Sequence, residues 1–240
     1  MNKQTVHYIS FGALFLCVTL LCSSLMRVWT MQAQTRTTQA TELGGTVIVL
    51  DAGHGGEDGG AEGTNGIAEK ELNLALTNAL ADLLRLAGYT VVQTRTDDRL
   101  LCDADTPKGH RKQSDLANRL AVTARYESCV LISIHMNTFP DQSCTGTQVW
   151  YSAGHEASAS LAQAVQDRVR TLLQPSNHRK IKAATSGIYL LRHARVPAIL
   201  IECGFLSTPT ECEKLCDPAY QHRLATAIFT AICENIRLRP

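Results

Sequence analysis

The chain has 240 residues, of which 19% are charged, and its formal net charge is +1. A nearly neutral chain without a dominant basic run is not typical of a nucleic-acid-binding protein, so we expect no nucleic acid among its partners. The sequence contains no internal repeat and no low-complexity segment.

The N-terminal part differs in character from the rest of the chain. Residues 8–26 contain no charged side chain, and we interpret residues 1–26 as a signal peptide or a membrane anchor. A retained anchor is favoured, because Met31 stands where signal cleavage prefers a small residue. Residues 27–44 are rich in Thr and Gln and are interpreted as a linker. Residues 45–240 are long enough for one domain with a substantial core.

Strand and helix patterns alternate along this domain. Strands are predicted over residues 46–50, 89–94, 130–134, 147–151, 188–191 and 198–201. Helices are predicted over residues 69–86, 115–126, 156–173 and 220–238, with a long polar loop over 97–114. This alternation of apolar strands and amphipathic helices predicts an α/β fold: an open, mainly parallel twisted sheet with helices on both faces, preceded by an N-terminal hydrophobic helix.

Metal-capable side chains follow three of the apolar strands. These residues are His54, His135 and Glu202. Because ligands of open parallel sheets bind beyond the carboxyl ends of the strands, we expect the three side chains to lie close together. A single histidine here would more often be structural, and the Gly-His-Gly-Gly run alone could be a tight turn or an anion-binding loop. The coincidence of three strand ends favours a metal site.

Two imidazoles and one carboxylate are a common catalytic zinc set that leaves one position open for water. His54 and His135 supply the nitrogens, and the spacing favours Glu69 as the carboxylate, because it follows a glycine-rich loop and opens a helix. Glu202 then remains as the general base, since a partly desolvated carboxylate has a raised pKa. The other acidic residues considered as ligands are Glu57, Asp58, Glu62, Glu71 and Glu202. Of these, Asp58 and Glu71 are expected to be solvated.

The sequence has nine cysteines, two of them in the N-terminal apolar segment. The other seven are an odd number, so at least one of those thiols has no disulfide partner within the domain. Cys212 and Cys216 have the spacing of half a zinc site, but no second pair matches it. We expect most of these cysteines to be buried free thiols.

A family resemblance is carried, in chain order, by the stretches LDAGHGGEDGGAEGTNGIAEKELNL, VVQTRTDD, LISIHMN and GIYLLRHARVPAILIECGFLSTPTE. They resemble the zinc-dependent N-acetylmuramoyl-L-alanine amidases of type 3, over essentially the whole domain. The resemblance implies hydrolysis of the amide between N-acetylmuramic acid and L-alanine in peptidoglycan, with Zn²⁺ as the cofactor. It also implies that His54, Glu69 and His135 are the zinc ligands and that Glu202 is the catalytic base.

Four further residues match or extend this pattern. Arg95 and Arg119 match arginines of the family, and a structural ion pair is at least as strong an expectation for them as substrate contact. Asn137 is expected to fix the loop around the preceding histidine, and Arg192 to reach the acidic peptide of the substrate. Asn137 and Arg192 are therefore the candidate substrate-binding residues.

Within the family, the chain resembles the germination-specific amidases of the spore cortex in two features. One is a short chain with a single domain behind an anchor, and the other is the long loop before Arg119. This implies an extracytoplasmic enzyme, membrane-anchored or secreted, acting ahead of muramic-δ-lactam formation. The alternatives are a vegetative cell-wall amidase, another zinc hydrolase of the envelope such as a peptidase or deacetylase, and an inactive wall-binding module. The intact candidate residues His54, Glu69, His135 and Glu202 argue against the inactive module. Targeting is expected to depend on the N-terminal segment or on an accessory envelope protein.

Overall fold

The computed structural model describes residues 46–236. The predicted anchor (1–26) and linker (27–44), and with them the predicted N-terminal hydrophobic helix, lie outside the described residues. Within residues 46–236, no helix combines the length and the apolar character needed to cross a membrane.

The domain is built on one mixed sheet. Its strands are β1 (Val47–Ala52), β2 (Val91–Gln93), β3 (Cys129–Asn137), β4 (Gln148–Tyr151), β5 (Lys182–Ala183) and β6 (Ala198–Phe205). They lie in the order β2-β1-β3-β6-β4-β5. Every pairing is parallel except that of β4 with β6. The predicted open, mainly parallel sheet is confirmed.

Helices cover both faces of this sheet. They are α1 (Glu69–Leu86), α2 (Arg111–Thr123), α3 (Glu156–Leu172), α4 (Tyr189–His193), α5 (Pro209–Cys216) and α6 (Pro218–Asn235). Alternate residues of each strand point to opposite faces, so Ile48 and Leu50 pack in the cluster that contains α1, α3 and α6. Val49 points the other way, into a second cluster with residues of α2 and α4. Burial on both faces explains why the central strands are continuously apolar.

Some predicted element boundaries are wrong. Residues predicted as a strand over 188–191 form the short helix α4, in which Leu190 and Leu191 are buried. A run of four apolar residues carries no decisive periodicity, so strand and helix cannot be separated there. Helix α2 begins at Arg111, inside the predicted polar loop. The predicted C-terminal helix begins at Pro218 and follows a separate helix, α5, and strand β5 was not predicted.

Candidate metal centre

The three candidate strands are neighbours in the sheet, and their carboxyl ends meet at one edge. β3 lies between β1 and β6 and is parallel to both. His135 on β3 is in register with Glu202 on β6. His54 follows the end of β1 by two residues. The expected convergence of these side chains is confirmed.

His54, Glu69 and His135 form a group in which one ligand atom of each lies within 4.8 Å of the others. One oxygen of Glu69 is 3.0 Å from Nδ1 of His135, and the other is 3.2 Å from Nε2 of His54. Glu69 is buried and both histidines are partly exposed. Two imidazoles and a carboxylate around one point are a donor set that suits Zn²⁺.

Glycines leave the space that this group occupies. A Cβ on Gly53 would lie 2.2 Å from Cε1 of His135, and a Cβ on Gly60 would lie 2.5 Å from the Glu69 carboxylate. His54 itself has a φ of 60°, a left-handed conformation that is uncommon for a residue other than glycine. The backbone therefore departs from its ordinary preferences where it places the imidazole.

Two residues outside the predicted set contact side chains of the candidate centre. Asp58 lies 3.0 Å from Nδ1 of His54, which leaves Nε2 facing Glu69. Asp58 is partly exposed, as expected, but one side of its carboxylate faces His54. Asn73 donates from its amide to Glu69 at 3.1 Å and to the carbonyl of Gly53 at 3.2 Å. Its position one helical turn after Glu69 was the available sequence signal, because residues four apart share a helix face.

The carboxylates and imidazoles shift each other's pKa values. Burial alone would lower the pKa of His54, but Asp58 and Glu69 outweigh it and raise this pKa to about 9. Burial alone would raise the pKa of Glu69, but the two histidines bring it well below its usual range. The centre thus keeps an ionised carboxylate between two imidazoles and favours a cation at this point.

Glu202 lies in a different environment. It lines a cavity of about 200 Å³ together with His54 and His135. Its Oε2 is buried and has no hydrogen-bond partner among the described residues. Burial raises the pKa of Glu202 to about 7. A carboxylate with these properties, beside a candidate metal centre, is suited to accept and return a proton at neutral pH.

Arg119 and Arg95 support the backbone below the centre. Arg119 pairs with Asp51 and Asp115, at 2.7 Å in each case, and donates to the carbonyl of His54 at 2.7 Å. Arg95 donates to the carbonyls of residues 52 and 53. Both side chains are buried, so the structural interpretation of the two arginines is the one the geometry supports.

The two candidate substrate-binding residues occupy different surroundings. Asn137 ends β3, where its side chain accepts from the backbone amide of Thr138 and its carbonyl accepts from that of Leu206. It thus ties the loop after His135 to the end of β6. Arg192 is exposed on α4 and does not line the cavity at Glu202. Substrate contact by either residue stays a prediction.

A two-histidine, one-glutamate centre at the carboxyl edge of a mainly parallel sheet, with a second glutamate in the adjoining cavity, is typical of a metal-dependent hydrolase. Residues 48–234 match the model of the N-acetylmuramoyl-L-alanine amidase family, and the chain belongs to that family. The predicted resemblance is therefore confirmed.

Similar proteins agree with this assignment. The germination-specific N-acetylmuramoyl-L-alanine amidase of Bacillus subtilis is 38% identical over 192 residues, which cover 79% of each chain. The CwlD amidase of Clostridioides difficile, solved in complex with the GerS lipoprotein, matches with a TM-score of 0.74 and 35% identity, covering 78% of this chain and 96% of that one. The catalytic domain of CwlV from Bacillus (Paenibacillus) polymyxa matches with a TM-score of 0.65 and 30% identity, covering 79% and 97%. The chain is accordingly a peptidoglycan amidase that acts outside the cytoplasm.

Proposed function

We propose that this amidase is zinc-dependent, with His54, Glu69 and His135 as the ligands and Glu202 as the general base. The observation that carries the proposal is the group of three donor side chains within 4.8 Å of one another, beside a buried carboxylate that lines the same cavity. Glu57, Glu62 and Glu71, considered as alternative ligands, are not part of this group.

In this mechanism the scissile amide joins the lactyl group of N-acetylmuramic acid to the first L-alanine of the stem peptide. Bound zinc would supply a Lewis acid for the amide carbonyl and would lower the pKa of the attacking water. Glu202 takes the proton from that water on one oxygen and returns it to the leaving amino group of L-alanine. Asp58 and Asn73 hold His54 and Glu69 in place while the reaction proceeds.

Product analysis tests the activity against other zinc hydrolases of the envelope. Digestion of purified peptidoglycan should release intact stem peptides with a free L-alanine amino group and leave the muramoyl carboxylate on the glycan. Mass analysis of the soluble products distinguishes the outcomes. Peptides cut internally would indicate a peptidase, and glycans that lose only acetyl groups would indicate a deacetylase.

The similarity to the germination-specific amidase of B. subtilis supports a role in the spore cortex. In this role, removal of the stem peptide comes before formation of muramic-δ-lactam, because the lactam requires a free muramoyl carboxylate. A deletion strain should form cortex without the lactam. Unchanged lactam content would favour the alternative of a vegetative cell-wall amidase, with the same chemistry.

Location and partners form the last part of the proposal. The uncharged stretch 8–26 supports attachment to the membrane, and the neighbour CwlD was solved with the GerS lipoprotein, which supports an accessory envelope protein here. Membrane fractionation of the full chain, compared with a chain lacking residues 1–40, tests the anchor. Recovery of the full chain in the soluble fraction alone would exclude it.

A further inference from the structure

The cavity at Glu202 is lined by both charged and apolar side chains. Its lining includes Lys112 and Leu116 of α2 and, at the start of α4, Ile188 and Tyr189. Lys112 reaches into solvent at the rim, since its side chain is 69% exposed. A substrate whose scissile bond lies at the candidate metal centre would lie beside these residues.

Acidic groups dominate the polar lining of this cavity. The acidic residues that line it are Asp51, Asp58, Asp115 and Glu202, and the basic ones are Arg119 and Lys112. The side chain of Arg119 is only 2% exposed and is held by two carboxylates. Among the described residues that line the cavity, Lys112 is therefore the exposed lysine or arginine that a negatively charged substrate group can reach.

The first turn of α2 adds no negative charge beside Lys112. Helix α2 has no side-chain hydrogen bond at its N-cap, His110, and no acidic residue in its first turn. No carboxylate of this turn therefore offsets the charge of Lys112. The neighbouring Arg111 pairs with Glu57 at 3.0 Å, whereas Lys112 approaches Asp58 only to 3.4 Å.

We propose that Lys112 is a specificity-determining residue that binds the free α-carboxylate of the second stem residue, a D-glutamate linked through its side chain. The proposal rests on the amidase function proposed above. Asp58 links Lys112 to the centre, because it lies 3.4 Å from the ammonium group and 3.0 Å from Nδ1 of His54. Consecutive Cα atoms are about 3.8 Å apart, so this carboxylate lies roughly 6–7 Å from the scissile carbonyl in an extended peptide. Through Asp58, the ammonium group lies two contacts away from the imidazole of His54, at the edge of the centre.

Lys112 also explains how an acidic peptide could enter an acidic cavity. A substrate carboxylate that approaches Asp58 is repelled by it, and Lys112, which lies beside Asp58, offsets this repulsion at the rim. With Lys112 present, the substrate carboxylate pairs with the ammonium group at the rim, away from the reacting atoms. Its contribution is therefore to substrate binding, and the rate of the chemical step should depend on it little.

The test uses two muropeptides that differ only in the second stem residue, which carries either a free carboxylate or a carboxamide. Lys112→Met should raise KM for the free acid by about tenfold, with kcat within about twofold of the wild type, and should leave KM for the amide unchanged. Lys112→Arg should keep the preference for the acid. Lys108→Met is the matched control, because Lys108 is exposed in the preceding turn and does not line the cavity.

Equal changes on both muropeptides, or no change on either, would overturn the role of Lys112. A fall in kcat with KM unaffected would also overturn it, because that result would place the lysine in the chemical step. Failure of the wild type to cleave either muropeptide is a separate outcome, which would count against the amidase function itself.

Discussion

Glu202 and Glu69 lie beside the same pair of histidines, but their environments move their pKa values in opposite directions. The histidines hold the pKa of Glu69 well below its usual range despite burial. Burial raises the pKa of Glu202 to about 7, and one of its oxygens has no hydrogen-bond partner among residues 46–236. Carboxylates whose pKa values are moved in opposite directions take different roles. Glu69 suits a permanently ionised ligand, and Glu202 suits a group that exchanges a proton.

Replacing Glu202 by glutamine tests this division. The amide keeps the shape of the side chain but cannot accept a proton, so we expect kcat to fall by about 100-fold or more. Zinc content, measured by elemental analysis, should stay near one per chain, whereas His135→Ala should lose the metal. Glu213→Gln, an exposed change on α5, is the control. Loss of zinc from Glu202→Gln would make Glu202 a ligand.

Asp58 is predicted to act through His54. Asp58→Asn removes the charge beside Nδ1 and weakens the orientation of the imidazole, so affinity for zinc should fall by roughly 10- to 100-fold. Competition with a chelator of known affinity measures this change. Glu57→Gln is the matched control, because Glu57 is the adjacent carboxylate and pairs with Arg111 at the surface. Equal zinc affinity in Asp58→Asn and the wild type would contradict the role.

At the scale of elements, the loop between β1 and α1 matters most, because it carries His54 and leads into Glu69. Its backbone turns through several glycines with positive φ, including Gly60 at 71° and Gly66 at 84°. The amide of Ala61 donates to Glu69 at 2.9 Å, so the loop also positions the first residue of α1. The loop and the helix therefore form one support for the proposed ligands.

Substitution of these two glycines separates backbone strain from loss of space. Gly60→Ala places a Cβ 2.5 Å from the Glu69 carboxylate, whereas Gly66→Ala meets nothing within 4 Å. Both changes should cost about 1–2 kcal/mol of unfolding free energy from the positive φ. Only Gly60→Ala should also displace Glu69 and lose zinc. Denaturation together with elemental analysis tests this, and full zinc in both variants would be the contrary result.

At the scale of the whole molecule, a buried charge cluster joins the sheet to α2. Asp51 is on β1, and Arg119 and Asp115 are on α2. Burial alone would raise the pKa of Asp51, but Arg119 and the hydroxyl of Ser133 lower it below its ordinary value. A carboxylate with a lowered pKa in the folded state stabilises the fold only while it is ionised. The cluster therefore couples the stability of the domain to pH.

The sign of this effect predicts acid sensitivity. The contribution of Asp51 is fully present above its unfolded pKa of about 3.9 and is lost as pH falls through its lower folded pKa. Below about pH 4, the unfolding free energy of the wild type should decline more steeply than that of Asp51→Asn, by up to about 1.4 kcal/mol per pH unit. Denaturation of metal-free protein at several pH values measures both slopes. Parallel slopes would contradict the prediction.

Local patterns in the sequence were enough to predict much of the fold and of the candidate metal centre. Continuous apolar strands separated by amphipathic helices indicated a parallel sheet, because a strand buried on both faces has no polar side. The strand ends then identified His54, His135 and Glu202, and helix position favoured Glu69. These inferences depend only on residues that are close together in the chain, and that order can be read directly from the sequence.

Only the tertiary structure decided which polar residues belong to the centre and which remain in water. Asp58 looks like a surface carboxylate in the sequence, yet it lies against His54. Arg119 is buried because β1 and α2, which are distant in sequence, meet through Asp51. The order of the strands, which puts β3 between β1 and β6, also brings the predicted residues to one point. A polar side chain has the same local pattern in solvent as in a cavity, so its role depends on contacts that only the folded chain creates.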